Sequence, residues 1–522
     1  MKDEKSLAMQ AGILASAGLI TKVIGFLYRI PMANILGNTG NGIYSVAFSI
    51  YSIVLTLSSY SMPISVSKLI SEKRAVGEKE ADKIFKVSVI ISILFGMIAS
   101  LGLFLGANGL ANMYGKSGLE MPLRVLALTT FIVAILGCIR GYFQGYGNMI
   151  PTAVSQIVEQ IVNAVVSVVA ASQICYIFSN VENKPALLAT GGTIGTFAGA
   201  TAALICVLFF WIKIRKKISQ TITLKEFKNI FVVLISVMIP IVLSQTIYQI
   251  GYTIDDYMFA NILGKKGLSE TVVTDLQGVF NTQYTQLINL PVGMATAFGM
   301  SVIPRITTSY IKGEKNNVDA NIGQIIKMTS MVVFPTVIGM TVCSEEIMTV
   351  LFPGLGELRV IAINLLKWGS MAAASYSFST VSTAILQGCN RFKTPVINSG
   401  IALVTHIVIV YLLLKFTDMN AYALLIGDII FSMTILILNV GFIIKKIRPH
   451  IKVSNIVKPL VGAIDMGIMV FCVKDIMTLY STNLKLRLIV EVGVGVITYG
   501  ICNRKFIIDF LANGYMGRNK SE

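Results

Sequence analysis

The chain has 522 residues, of which 54% are hydrophobic and only 13% are charged, whereas a soluble domain of ordinary composition is about one quarter charged. A membrane-spanning helix needs about 20 mostly apolar residues, and such runs recur along the whole sequence. The segments between them are short, which excludes a soluble catalytic domain. A net charge of +17 would favour nucleic-acid binding in a soluble protein. Here we assign it to membrane topology, and no nucleic-acid partner is expected.

The apolar runs predict an all-α, polytopic membrane protein with about fourteen transmembrane helices. The predicted spans are 7–30, 43–67, 84–106, 123–143, 152–178, 187–212, 229–256, 278–303, 324–342, 361–387, 395–416, 421–443, 456–473 and 487–503. No cleavable signal peptide is expected before the first span. The seven cysteines have no metal-ligand spacing and are expected to be small buried hydrophobic residues, so no metal site is predicted.

Lysine and arginine are concentrated in alternate loops, which is how orientation in a membrane is encoded. The basic loops follow the second, sixth, eighth and twelfth spans, at 68–86, 213–228, 305–327 and 445–458. Loops of the opposite set are poor in these residues. The pattern predicts a multi-pass protein of the cytoplasmic membrane with both termini in the cytoplasm.

The sequence repeats itself. ANILG occurs at 33–37 and again at 260–264, an offset of 227 residues, and Gln-Gly occurs at 144–145 and 387–388, an offset of 243 residues. We explain the growth of the offset by a longer external loop predicted at 265–278. The repeat predicts two six-helix lobes around a central cavity. Such transporters bind substrate between their halves and work by alternating access.

The predicted domain organisation follows from this repeat. The first six-helix lobe covers 1–220 and the second covers 226–448. Two extra transmembrane helices and a cytoplasmic tail occupy 455–522 and lie outside the repeat.

Three segments carry a resemblance to a known family: KVIGFLYRIPMANILG at 22–37, RGYFQGYGNMIPTAVSQIVEQ at 140–160 and NLPVGMATAFGMSVIPRI at 289–306. They resemble the stage V sporulation protein B and MurJ-type lipid II flippase branch of the multidrug/oligosaccharidyl-lipid/polysaccharide exporter superfamily. The resemblance implies export of an undecaprenyl-pyrophosphate-linked peptidoglycan precursor, in vegetative growth or in sporulation. The sequence departs from the MurJ pattern at Gln286, where that pattern has arginine.

Polar and ionisable side chains within the spans are candidate site residues, because each costs a few kcal/mol to insert. The candidates for substrate binding are Lys22, Arg29, Arg140 and Gln286. Arg29 is the first of these, since guanidinium donors match phosphate oxygens in pairs, although it could instead reach the membrane interface. For Arg140 a structural role in the turn RGYFQGYGN is the alternative.

Asp255 and Asp256 near the outer end of the seventh span are candidates for gating. The offset of 227 residues places Asp256 opposite Arg29, which predicts a gate pair of opposite charges across the cavity. The alternative is a solvated helix end.

Glu159 and His406 are candidates for ion coupling. A carboxylate at the depth of Glu159 could bind a cation or a proton, or it could be a structural partner of Arg140 or Lys22. His406 titrates in a suitable range, but a hydrogen-bonded packing role is the alternative.

No catalytic signature is present in the sequence, and the chain is not expected to be an enzyme or to use a cofactor. The driving force must come from an ion gradient, the membrane potential or the substrate gradient, and coupling to a monovalent cation or a proton is left open. The expected partners are a lipid-linked sugar and membrane lipids, with cell-wall synthesis proteins as an open option. The alternative functions are a flippase for another lipid-linked oligosaccharide such as a capsule repeat, a drug/cation antiporter, and a non-transporting scaffold.

Overall fold

Every regular element in the described part of the chain is helical. The computed structural model describes residues 2–74, 77–178, 181, 183–214, 222–504 and 508. Its helices are α1 (Lys2–Leu55), α2 (Met62–Arg74), α3 (Glu78–Tyr114), α4 (Glu120–Gly145), α5 (Ile150–Ile177), α6 (Lys184–Ile214), α7 (Leu224–Lys265), α8 (Glu270–Gly278), α9 (Thr285–Ile311), α10 (Lys315–Val342), α11 (Ser344–Leu351), α12 (Arg359–Gly388), α13 (Lys393–Phe416), α14 (Ala421–Phe442), α15 (Ser454–Tyr480) and α16 (Leu484–Cys502).

The predicted all-α membrane fold is confirmed. Ten helical stretches of the described residues are long and apolar enough to cross a membrane. Each of the fourteen predicted spans falls on helical backbone, apart from end residues and the turn at Ser61 within the second span. Wide turns of π type, at Thr56–Tyr60 and Val279–Tyr284, connect α1 to α2 and α8 to α9. Part of the basic loop at 213–228, residues 215–221, and the predicted tail beyond residue 508 lie outside the described residues.

The repeated pentapeptide ANILG ends a span in both places where it occurs. At the first copy, Gly37 has φ 66° and ψ −179° and divides α1 into two spans. At the second copy, α7 ends one residue after Gly264, and the chain turns at Gly267 with φ 90°. Glycine adopts such dihedral angles without the steric cost that a Cβ atom adds.

The second repeat anchor also has a structural counterpart. Gly147, just after α4, has φ 76°, and Asn390, just after α12, has φ 59°. These two residues are 243 positions apart, the offset of the Gln-Gly repeat. Both therefore terminate a helix with a left-handed residue, for which glycine is preferred and asparagine is tolerated.

The predicted external loop at 265–278 is wrong in part, because most of it is the helix α8. Ser269 caps this helix by accepting a hydrogen bond of 3.4 Å from the backbone N–H of Val272. Val273 and Leu276, three residues apart on one face, are buried. An N-cap serine followed by a buried face is sufficient for a short helix that packs against the protein.

The packing of the backbone divides the chain into two units. The first comprises the described residues up to Thr282 together with Tyr411–Ala421, and the second comprises Gln283–Val410 and the described residues from Tyr422 onward. Within the first unit, α7 is tied to α3 near both ends. Lys83 donates to the Glu226 carboxylate at 2.7 Å, and the backbone carbonyl of Met113 accepts from Asn261 at 3.2 Å.

The segment Tyr411–Ala421, which joins α13 to α14, belongs to the first unit. The ammonium of Lys266 donates a hydrogen bond of 2.6 Å to the carbonyl oxygen of Thr417 and lies 3.3 Å from the Asp418 carboxylate. We call Tyr411–Ala421 the strap.

Candidate functional site

Two cations share one exposed face of α1. Lys22 and Arg29 are seven residues apart, which is close to two helical turns, so their side chains point in the same direction. Both are exposed. The Tyr28 hydroxyl accepts a hydrogen bond from Arg29, but no ion pair between described residues neutralises either cation. This face of α1 therefore carries two positive charges available to an anion.

The polar side of α5 fixes the orientation of α1. At Gly25 the two helices approach closely enough that a Cβ atom would lie 3.1 Å from the Gln160 amide nitrogen. One turn further, Asn163 donates to the Tyr28 hydroxyl at 3.4 Å, and Ser167 donates to Asn163 at 2.9 Å. These contacts hold Tyr28 inward, so the adjacent Arg29 projects from the packed face.

The structure brings Arg140 and Glu159 together. The Nη2 atom of Arg140 lies 2.8 Å from a carboxylate oxygen of Glu159, and its Nε atom donates to Ser155 at 2.9 Å. The side chains are 12% and 31% exposed. The pair links α4 to α5 and is the structural partnership that the sequence left open for Glu159. In this arrangement each charge is compensated by the other.

Asp256 is buried toward the C-terminal end of α7 and is held by amides. Asn281 donates to its carboxylate at 2.7 Å, and Gln277 donates to its backbone carbonyl oxygen at 3.0 Å. Asp255 beside it is half-buried. Among the described residues no ion pair joins Asp256 to Arg29, and their gate pairing stays a prediction.

A buried lysine lies at the same end of the first unit. Lys116, in the turn between α3 and α4, is 3% exposed, and its Nζ donates to the Thr274 hydroxyl of α8 at 2.7 Å. Burial lowers the pKa of Lys116 to about 8, against the opposing effect of the Asp256, Glu270 and Asp275 carboxylates. Burial costs a cation more than three nearby carboxylates return.

Further hydrogen bonds join α8 to its neighbours. Ser117 donates to Glu270 through both its backbone N–H and its hydroxyl, at 2.5 and 3.2 Å. Thr39, next to the kink of α1, donates to Asp275 at 2.5 Å. The predicted topology places this group of residues at the outer face, and we call it the outer cluster: Thr39, Lys116, Ser117, Asp256, Glu270, Thr274 and Asp275. It connects the kink of α1, the α3–α4 turn and α8 at one end of the first unit.

Sequence reasoning selected one member of the outer cluster, Asp256, as a gating candidate and missed the other members. The signal for these members was Lys116, one of a small number of basic residues in the loops that are predicted to lie outside. Such a position is not explained by topology. The partners on α8 were hidden because this segment was taken for a loop.

The other two predicted site residues belong to the second unit. Gln286 is buried on α9. His406 is buried on α13 and its ring is in a T-shaped arrangement with that of Phe431, with 5.8 Å between the centroids. The neighbouring Tyr376 donates to the Asp428 carboxylate at 2.9 Å. No group of three or more potential ligands that could hold a metal ion occurs among the described residues.

The sequence of this chain is similar to those of known membrane proteins. The chain is 27% identical over 421 residues to the lipid II flippase MurJ of Bacillus subtilis strain 168, covering 77% of this chain and 76% of that protein. It is 25% identical over 470 residues to stage V sporulation protein B of the same organism, covering 88% and 86%. These similarities confirm the resemblance drawn from the three sequence segments.

Solved structures share the fold. A structure described as lipid II flippase MurJ in an inward closed conformation superposes with a TM-score of 0.71 at 14% identity, covering 95% of this chain and 99% of that one. An inward-facing multidrug resistance MATE family transporter of the MOP superfamily gives a TM-score of 0.67 at 16% identity, covering 82% and 94%. The MatE family matches residues 240–412. The polysaccharide biosynthesis protein family matches residues 7–310, more than half of the sequence, and the chain belongs to that family.

Proposed function

We propose that this protein moves a lipid-linked cell-wall precursor of the lipid II type across the cytoplasmic membrane by alternating access. The observation that carries the proposal is the exposed face of α1, where Lys22 and Arg29 have no carboxylate partner among the described residues. A charge in a membrane span is costly, and an anionic ligand bound at this face would compensate both cations. The pyrophosphate of an undecaprenyl-linked sugar has that charge and geometry.

The similarity to MurJ and to stage V sporulation protein B supports this choice of ligand. The second relative makes a role in sporulation an alternative to a role in vegetative growth. Unpaired cations disfavour a drug/cation antiporter, whose cavity would need acidic groups. In this proposal, Gln286 and Arg140 assist substrate binding, and Asp255, Asp256, Glu159 and His406 serve gating or ion coupling.

A flippase for another lipid-linked oligosaccharide is the second candidate. The family assignment favours it, because the matched family is that of polysaccharide biosynthesis proteins. Both candidates require the same pyrophosphate chemistry, so the sugar is the point of difference.

The test is an assay of lipid II accessibility at the outer leaflet in cells depleted of their own flippases. Expression of this chain should restore access of an external lipid II-degrading enzyme, and the Arg29→Ala chain at equal membrane abundance should not. Failure of the unmodified chain to restore access contradicts the lipid II proposal. Restored surface polysaccharide in a capsule-flippase mutant would then favour the second candidate.

A further inference from the structure

The two extra helices, α15 and α16, are joined to α11 by a buried group of charged side chains in the second unit. The Glu346 carboxylate on α11 is fully buried. One of its oxygens accepts a hydrogen bond from Lys474 of α15 at 2.8 Å, and the other accepts one from Arg487 of α16 at 2.9 Å. Glu346 therefore holds both extra helices, and it occupies both cations.

The charges of this group balance without its third carboxyl, Glu491. Glu345, which is exposed, lies 3.8 Å from Lys474, and together with Glu346 it offsets the two cations. Glu491 lies one helical turn after Arg487 on α16 and is fully buried. An ionised Glu491 would add an uncompensated negative charge in the protein interior, which is costly.

Glu491 lacks the donors that an ionised carboxylate needs. In the described part of the chain, no nitrogen or oxygen atom makes a hydrogen bond to either of its oxygens. Buried polar atoms are nearly always paired, and a carboxylate can accept at both oxygens. Its polar contact is the thiol of Cys343, at the junction of α10 and α11, and a thiol is only a weak donor and a weak acceptor. These surroundings suit a neutral carboxylic acid.

The same surroundings disfavour a metal cation. Lys474 and Arg487 would repel it, and both oxygens of Glu346 are already engaged. The titratable and charged groups that act on Glu491 are these three side chains and Cys343. A proton bonds to one carboxylate oxygen and needs no shell of ligands, so it is the cation that fits this site.

We propose that Glu491 is a proton-binding site, and that its competition with Glu346 for the two cations decides whether the proton is held. While Glu346 engages both cations, Glu491 stays a carboxylic acid. Separation of α11 from α15 and α16 would free Arg487, whose Nε atom has no acceptor among the described residues, to pair with Glu491 one turn away. The O–H bond of Glu491 then breaks, the electron pair stays on the carboxylate, and the proton passes to water.

The predicted topology puts this exchange at the outer face of the membrane, because the α10–α12 and α15–α16 connections follow odd-numbered spans. One proton released each time the contact opens would supply a driving force for transport, and that step rests on the proposed function. The proton site itself does not, since it depends only on the contacts between α11 and the two extra helices.

Infrared spectroscopy of the purified full chain tests the site, because a protonated carboxyl has a carbonyl band that a carboxylate lacks. At about pH 7, where an exposed glutamate is ionised, Glu491→Gln should remove such a band. The matched control is Glu345→Gln, which removes an exposed carboxyl of the same group and should leave the band in place. Glu346→Gln should also remove it, since both cations become free to pair with Glu491 and ionise it.

Thermal unfolding gives a second readout with a defined sign. In the unfolded chain a glutamate ionises above about pH 4.3, whereas a protonated Glu491 in the folded chain does not. The folded state then binds more protons, so this group lowers the stability of the unmodified chain as the pH rises from about 5 to 7. Glu491→Gln lacks that loss, and its unfolding temperature should rise relative to that of the unmodified chain over the same interval.

Absence of a Glu491-dependent carbonyl band at about pH 7 overturns the proton site. It is also overturned if Glu491 shows a carboxylate band that shifts when sodium chloride replaces choline chloride, since the ligand would then be a metal cation. The carbonyl band in a chain that does not restore lipid II access keeps the site and rejects the proposed function. Restored access without the band does the reverse.

Discussion

Arg29 is a side chain whose position is costly unless it has a ligand. The α1–α5 contacts hold Tyr28 inward and leave Arg29 exposed beside Lys22. We expect Arg29→Ala to abolish complementation of a flippase-deficient strain at normal membrane abundance. Arg29→Lys should restore part of the function, because it keeps the charge and loses paired hydrogen bonding. Growth on the alanine variant at wild-type rate would remove Arg29 from the site.

Substitution of Arg140 and Glu159 can distinguish a structural ion pair from a role of Glu159 in ion coupling. If the two residues form a structural pair, removal of either one leaves the charge of the other uncompensated. Arg140→Met and Glu159→Met should therefore each lower the free energy of unfolding by about 1–3 kcal/mol, and the double variant should lower it by less than the sum of the two. Thermal unfolding of the purified variants measures this coupling. If Glu159 instead couples transport to an ion, Glu159→Gln should lose transport while its unfolding temperature stays unchanged.

At the residue scale, a polar side chain within an apolar run is the signal that the sequence itself carries. Glu159, Asp256 and His406 were selected as polar groups in apolar runs. Asp256 and His406 are buried, the Glu159 side chain is 31% exposed, and the roles of all three stay predictions. The partners of these groups could not be predicted with equal success. Asn281, which holds Asp256, is an ordinary amide in sequence, and only the packing of α8 and its following turn brings it within 2.7 Å.

At the scale of elements, the outer cluster gives the attachment of α8 a dependence on pH. Lys116 has a pKa of about 8 in the closed cluster, and an ordinary value near 10.5 is expected once it is hydrated. Between these values the open form binds more protons, so raising the pH through the window favours the closed form. Below about pH 8 both forms are protonated, and the cost of burying the charge is present in full.

We therefore expect alkaline pH to protect the outer cluster from labelling. Val273 is buried beside Lys116, and a Val273→Cys variant in a cysteine-free chain should react more slowly with an external maleimide, by up to about tenfold per pH unit between pH 8 and 10. Rates should be divided by those of the exposed Thr271→Cys, which corrects for thiol ionisation. Lys116→Met should remove the dependence. A ratio that does not change with pH in the unmodified background contradicts the assignment.

Gly147 and Asn390, which follow α4 and α12 in the left-handed backbone conformation, should differ in their tolerance to substitution. Gly147→Ala should destabilise the protein by about 1–2 kcal/mol, because a Cβ atom is introduced at φ 76°. Asn390→Ala should cost about 1 kcal/mol, whereas Asn390→Gly should be close to neutral, since glycine adopts the same dihedral angles. Unfolding temperatures of the three variants test this order. Equal values for the two Asn390 variants would be inconsistent with it.

The elements were more predictable than their connections. Apolar length alone places fourteen intervals on helices, because a span must satisfy its own backbone hydrogen bonds. The α8 segment was missed because its nine residues include five polar or charged ones and too few apolar ones for a span. Its stability comes from the Ser269 cap and from contacts to α1 and the α3–α4 turn, which no local pattern contains.

At the scale of the whole molecule, topology is the most direct test. The charge pattern predicts that an impermeant thiol reagent labels Thr271→Cys from outside intact cells and labels Lys79→Cys and Lys225→Cys only after permeabilisation. All three side chains are exposed, so a position that is not labelled cannot be explained by burial within the protein. External labelling of either lysine position would invert the orientation and, with it, the assignment of the outer cluster.

The predicted lobes at 1–220 and 226–448 follow from the repeat, and they stay a prediction about which parts move. The division by packing follows a different property, because α7 and α8 are hydrogen-bonded to α1 and α3. The sequence repeat reflects duplication of a six-helix segment, whereas the packing shows which helices are in contact in one conformation.

The strap has a consequence for biosynthesis. The first unit is not complete when residue 282 leaves the ribosome, since Lys266 finds its acceptor at Thr417, 151 positions later. At about 5–20 residues per second, that interval lasts roughly 10–30 s. During that interval the C-terminal end of α7 lacks the contact that Lys266 makes with the strap. A fragment that ends after α9 would lack the strap and could not form this contact.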